Sequence, residues 1–230
     1  MLKSRLMLER RKHYLQVALN SNLAEAREII HQLPISDRII IEAGTPLIKA
    51  YGSQAISELH RWWQSRLASE NALPYIVADL KCMDRGEREV KIAKEAGASA
   101  AVVLGQAPVE TLNAFIENCH RFGLDSMIDM MNVEQPIKTL RQLKKLPTVV
   151  VLHRGVDEET FNKDKPIPYI QINKVRASYN VLIAIAGGDT IREVQRAVFN
   201  GADIVVVWKE FYRPSSDTGR LAEEFLREIK

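Results

Sequence analysis

The stretch Tyr75–Asp84 reads YIVADLKCMD: four residues suited to a buried strand, followed by Asp79, Lys81 and Asp84. Side chains alternate between the two faces of a strand, so Asp79 and Lys81 point the same way. Burying two charges side by side is costly unless they pair or act on something bound. A lysine that keeps its charge beside an aspartate can stabilise a developing anion. Glu42, which ends another apolar run (Ile39-Ile40-Ile41), adds a second carboxylate. Two carboxylates on neighbouring strands suit a hard divalent cation such as Mg²⁺, which takes one or two carboxylates and completes its shell with water and substrate oxygens.

Other apolar runs end in the same manner. LQVAL is followed by Asn20, and SMID carries Asp129 with Asn132 just beyond. TVVVL ends at His153 and Arg154, and VLIAIA ends at Gly187-Gly188. One polar residue after a strand is usually a turn former or a helix cap. Six such ends are much harder to assign to capping and predict a functional rim, provided the strands are parallel and share one sheet.

The elements that must hold these residues alternate from end to end. Apolar runs at 15–19, 38–44, 75–81, 100–105, 126–131, 148–153, 181–187 and 203–208 predict eight strands. Amphipathic stretches follow each of them: 23–33, 45–67, 86–96, 109–122, 134–146, 169–178, 191–200 and 218–229. The third, fourth and seventh helices stop at Gly97, Gly123 and Gly201. Continuous apolar strands mark a parallel sheet covered on both faces. Eight strand–helix units in 230 residues predict an α/β fold, a single (β/α)₈ TIM barrel near its lower size limit, over an open doubly wound sheet. The barrel is expected to occupy residues 15–230. Residues 1–14 form an N-terminal extension, read as a helix covering the base.

Composition is that of an ordinary soluble protein, 46% hydrophobic and 27% charged, with a formal net charge of +3. That charge is small and interspersed, so nucleic acid is not an expected partner. No apolar run reaches the roughly 20 residues that span a bilayer, and the charged first residues lack a signal core. A cytoplasmic protein with no membrane partner is expected. Cys82 and Cys119 fit a reducing compartment and form no metal-binding pair by spacing.

The segment Asp79-Leu-Lys81-Cys-Met-Asp84 resembles the Asp-x-Lys-x-x-Asp signature of the orotidine monophosphate decarboxylase superfamily. Together with LQVALN (15–20), IEAGTPLIKAYG (41–52), MIDMMNVE (127–134), VLHRGVDEE (151–159) and IAGG (185–188), the chain is most similar to the 3-hexulose-6-phosphate synthase family. That resemblance implies an aldol reaction: ribulose 5-phosphate adds to formaldehyde, with Mg²⁺ holding an enediolate. It implies Glu42 and Asp79 as metal ligands, and Lys81 as the group that stabilises the enediolate or shuttles a proton. His153 becomes the candidate general base or acid, and Asp129 a support for the metal and lysine network. Asp84 is implied to serve the neighbouring subunit's site, hence a homodimer with shared active sites. Asn20 is placed at a substrate hydroxyl, and Gly187, Gly188 and Lys209 at the phosphate.

The glutamate at 42, where orotidine decarboxylases usually carry lysine, argues for a metal-dependent member. The 3-keto-gulonate 6-phosphate decarboxylases also use a glutamate and Mg²⁺, but usually have arginine where this chain has Val156. They are the alternative, followed by a non-catalytic sugar-phosphate-binding barrel. Three departures from the family pattern stand out. Asn20 replaces an aspartate. Trp208-Lys209 replaces a glycine-containing phosphate loop, and Asp189 sits beside the expected phosphate, where it is read as a helix N-cap.

Overall fold

The computed structural model describes residues 8–70, 72–162 and 164–230. Eight parallel strands close into a barrel in sequence order. They are β1 Tyr14–Leu19, β2 Ile39–Ala43, β3 Ile76–Cys82, β4 Ala100–Leu104, β5 Asp125–Asp129, β6 Val149–His153, β7 Leu182–Ala186 and β8 Ile204–Val207. Closure comes from β1 against β8, where Tyr14 faces Ile204 and Val17 faces Val207. Among the described residues the α-helices are α1 Leu23–Gln32, α2 Thr45–Tyr51, α3 Ser53–Leu67, α4 Gly86–Glu95, α5 Val109–Phe122, α6 Pro136–Arg141, α7 Val156–Phe161, α8 Tyr169–Ser178, α9 Ile191–Phe199 and α10 Thr218–Glu228.

Strand alternation divides the interior into two cores. Ala18, Ile40, Val77, Val102, Met127, Val151, Ala184 and Val206 fill the barrel lumen. Their sequence neighbours, among them Val17, Ile41, Ala78, Val103, Ile128, Leu152, Ile185 and Val207, pack outward against the helices. This parity decides what reaches the mouth. Continuing two residues past Ala18, Ile40, Val77, Met127 and Val151 gives Asn20, Glu42, Asp79, Asp129 and His153.

The outer core explains why the helices form where they do. α3 buries Ala55, Ile56, Leu59, Trp63 and Leu67, which recur at helical spacing. Each large side chain so buried contributes about 1.5–3 kcal/mol. The single helical region expected over 45–67 is two helices. Gly52 adopts φ +62° between them, a conformation that costs most residues strain, and the chain changes direction there. The helix expected at 134–146 is shorter: Pro136 fits the first turn, where no donor is needed, and regular structure ends at Arg141. The stretch after His153, outside the eight strands and eight amphipathic stretches expected, contains α7. Its six residues are too few to show a period, and the Glu158 side chain accepts from Gly155 N at 2.9 Å to start it.

The base carries stabilising contacts, as the N-terminal face of such a barrel does. Tyr75 Oη donates to Asp125 Oδ2 at 2.7 Å, and Arg176 pairs with Asp203 Oδ2 at 2.7 Å. Leu8 is buried in the lumen core beside Tyr14. The described residues before β1 form turns and bends, while the rest of the expected base helix lies outside the described residues. Cys82 and Cys119 are free and buried.

Candidate active site

β3 carries the centre of the site and is irregular there. Four positions from Ala78 to Cys82 face two positions from Ala101 to Val103 on β4. Two extra residues preserve facing, so Asp79 and Lys81 remain on the lumen side while the strand bends. Lys81 takes φ +45°, a left-handed conformation that costs a non-glycine residue roughly 1 kcal/mol or more. The reason for holding it appears in its partners. Lys81 Nζ lies 3.0 Å from Asp79 Oδ2 and 3.0 Å from Asp129 Oδ2. Asp129 Oδ2 also meets His153 Nδ1 at 2.8 Å, and Asp129 Oδ1 accepts from Met131 N at 2.9 Å. Asp79 is further held by Thr45, whose hydroxyl lies 2.8 Å from both its Oδ2 and its backbone oxygen.

These contacts set the electrostatics. Burial opposes the charges on Lys81, Asp129 and His153, and in each case the partners outweigh it. Lys81 is raised above an ordinary lysine by Asp79, Asp129 and Glu42. Asp129 is held well below the usual carboxylate range by His153 and Lys81. His153 is raised chiefly by Asp129. Glu42 behaves differently. Burial and the nearby charge of Asp79 push it up to about 7, and the hydrogen bond from Gln16 Nε2 and the charge of Lys81 only partly offset this.

A cavity of about 760 Å³ opens at the C-terminal ends of the strands. Asn20, Glu42, Asp79, Lys81, Asp129, His153 and Gly187 all line it, so the predicted rim is one site. Asp84 is exposed and outside this lining, as is Lys209, and Gly188 lies against Ile167 and Glu193. Sequence reasoning missed Gln16 and Thr45. Gln16 was legible as the polar residue of LQVAL with the lumen parity of Ala18. Thr45 had no signal beyond following Gly44.

The residues fit a divalent cation. Glu42 and Asp79 repel one another in a buried cavity, and Gln16 Oε1 is buried without a hydrogen-bond partner beside them. The described residues contain no cluster of three or more metal-ligating side chains. A cation held by Glu42 and Asp79 would need further oxygen ligands from water or substrate, the habit of Mg²⁺.

A model of the orotidine 5'-phosphate decarboxylase / HUMPS family matches residues 13–217. The chain belongs to that family. It is 42% identical over 215 residues to the bifunctional enzyme Fae/Hps of Methanococcoides burtonii, covering 93% of this chain and 52% of the relative. The corresponding enzyme of Methanothrix thermoacetophila is 38% identical over 219 residues, at 94% and 53% coverage. This chain thus spans about half the length of the curated relatives it matches. Among solved structures, 3-hexulose-6-phosphate synthase from Salmonella typhimurium superposes with TM-score 0.80 and 25% identity, covering 94% of this chain and 98% of that one. Orotidine 5'-monophosphate decarboxylase from Methanocaldococcus jannaschii, at 17% identity and TM-score 0.73, shares the fold alone. The family likeness read from Asp79-x-Lys81-x-x-Asp84 and the barrel expectation both hold. No described helix is long and apolar enough to cross a membrane.

Proposed function

We propose that this barrel is an aldolase that joins formaldehyde to ribulose 5-phosphate, giving 3-hexulose 6-phosphate, and that it uses Mg²⁺. The observation that carries this reading is the convergence of Glu42, Asp79, Lys81, Asp129 and His153 in one cavity of a family member whose relatives are named Fae/Hps. Glu42 and Asp79 would hold the cation, which supplies Lewis-acid polarisation of the sugar's oxygens.

The protein's own groups account for the rest. Lys81, kept charged by two carboxylates, places a fixed cation where negative charge grows on the sugar as a proton leaves carbon. Asp129 fixes His153 through Nδ1 and raises its basicity, so that its other nitrogen can take that proton. After the new carbon–carbon bond forms, His153 returns the proton to the oxygen that came from formaldehyde. Thr45 orients Asp79, and Gln16 orients Glu42. Asn20 offers an amide to a sugar hydroxyl. Asp84, outside its own cavity, serves the site of a second copy in a homodimer.

The test is formaldehyde consumption with ribulose 5-phosphate as partner, expected to stop with a chelator and with Lys81→Ala. Carbon dioxide release from 3-keto-gulonate 6-phosphate, measured alongside, identifies a decarboxylase instead. Absence of turnover with every sugar phosphate at every Mg²⁺ concentration ends the aldolase reading.

A further inference from the structure

Barrels of this class commonly grip a phosphate with the backbone after β7 and β8. In this chain two amides after β8 are occupied by the protein itself. Asp189, just past β7, accepts from Trp208 N at 2.8 Å and Lys209 N at 3.1 Å through Oδ1. It does not cap α9, as its position suggested; Thr190 does that, accepting from Glu193 N. Asp189 is 6% exposed, and its Oδ2 is buried with no hydrogen-bond partner. A second carboxylate occupies the neighbouring cations. Glu159 of α7 has Oε1 2.5 Å from Lys209 Nζ and 3.5 Å from Arg154 Nη2. Arg154 lines the active-site cavity and leaves its buried Nε unpartnered.

The arrangement is a phosphate subsite populated by internal anions: Asp189 on the two β8 amides and 3.9 Å from Lys209 Nζ, and Glu159 on Lys209 and Arg154. A dianionic phosphate entering beside two buried or half-buried carboxylates is repelled strongly in a medium of low effective dielectric. It also finds the Trp208 and Lys209 amides and the Lys209 ammonium already engaged. We propose that Asp189 is the resident anion of the subsite after β7 and β8, and that it sets how tightly this barrel holds the phosphate end of its substrate. Phosphate must displace the Asp189 carboxylate from the Trp208 and Lys209 amides and take Glu159's place at Lys209 and Arg154. Asp189 is thereby a specificity-determining residue. It weakens phosphate-ended ligands generally and favours those that gain enough elsewhere in the cavity to offset the displacement. The inference rests on the sugar-phosphate reading for its biological meaning, but not for its test.

The test uses the full chain and inorganic phosphate as probe, titrated by calorimetry into the unaltered protein, Asp189→Asn, Asp189→Ala and Glu159→Gln. Asp189→Asn keeps an oxygen for the two amides and removes the charge, so it guards against loss of folding. Phosphate is expected to bind Asp189→Asn and Asp189→Ala at least tenfold more tightly than the unaltered chain, with a smaller gain for Glu159→Gln. KM for ribulose 5-phosphate is expected to fall by a comparable factor in Asp189→Asn, with kcat within about twofold. Unchanged or weaker phosphate binding in both Asp189 variants overturns the proposal, as does no measurable binding in any of the four proteins. Tighter phosphate binding without formaldehyde consumption by any of them leaves the proposal standing and removes the aldolase reading.

Discussion

His153 Nδ1 stands 2.8 Å from Asp129 Oδ2, the same oxygen that Lys81 Nζ approaches to 3.0 Å from another strand. One buried carboxylate oxygen therefore fixes both the cation and the imidazole of the site. Because Asp129 is depressed, its stabilisation is fully present above the ordinary carboxylate range and is lost as pH falls through its lowered value. Because His153 is raised, its stabilisation is fully present below the ordinary imidazole range and is lost as pH rises through its raised value. The contact is thus worth most in the window between. Urea unfolding across pH is expected to show this plateau, with a flatter profile in Asp129→Asn. An unchanged profile in that variant would show that the pair does not govern the pH response.

Removing Lys81 leaves Asp79 and Asp129 without their shared cation in a buried site. Loss of one partner of a buried ion pair costs roughly 3–5 kcal/mol. Part of this is returned by solvent at the open mouth, since Lys81 is only partly buried. Lys81→Ala is therefore expected to lose activity by about a hundredfold or more and to lower the urea midpoint. Lys81→Arg, which keeps the charge but not the shape, should recover stability more than activity. Equal recovery of both would argue that the charge alone matters.

Gly44 and Asn20 are in near contact across the β1 and β2 ends. A Cβ on Gly44 would lie 2.0 Å from Asn20 Oδ1 and 3.0 Å from Leu19 O. Gly44→Ala must expel the Asn20 side chain, so it should raise KM for the sugar more than it lowers kcat. Adding Asn20→Gly removes the side-chain clash, leaving only the 3.0 Å approach to Leu19 O, and should recover part of the stability without restoring KM. Full rescue of KM would show that Asn20 does not touch substrate.

Shared sites have a signature in mixed preparations. Under the proposed sharing of sites, Lys81→Ala would damage the chain's own site and Asp84→Ala the site of a second copy. A hybrid of the two leaves one of its two sites intact. Co-refolding equal amounts of the two inactive variants should restore up to roughly a quarter of normal activity, the yield expected for random pairing in a two-fold dimer. No restoration, with hybrids demonstrated by mass, would remove Asp84 from the reaction.

Arg38 ties the ends of the chain together at the barrel base. Its guanidinium donates to His13 O at 2.9 Å, Leu226 O at 3.2 Å and Ile229 O at 2.8 Å. Hydrogen bonds from a charged donor contribute about 1.5–3 kcal/mol each when buried, and these are partly exposed. Arg38→Ala is expected to cost about 2 kcal/mol in urea unfolding while leaving kcat and KM unchanged. A change in either kinetic constant would show that the base and the mouth are coupled.

Eight strand–helix units and most of the mouth were legible in the amino-acid sequence. Continuous apolar runs demand burial on both faces, and a polar residue at the end of such a run has only the rim to occupy. Asn20, Glu42, Asp79, Lys81, Asp129 and His153 were legible for that reason. Tertiary structure decided what depends on the lateral approach of distant segments. The lumen parity of Gln16 was readable within LQVAL, but its partner Glu42 was set by how β1 and β2 pair. Asp189 was one residue before the α9 N-cap, and only the neighbouring β8 loop, whose Trp208 and Lys209 amides donate to it, drew its carboxylate away. Glu159 came within reach of Lys209, fifty positions on, through a helix too short to leave a periodic trace. Local patterns report which residues must be buried; which partners they then find is set by how the strands close and which donors remain unsatisfied.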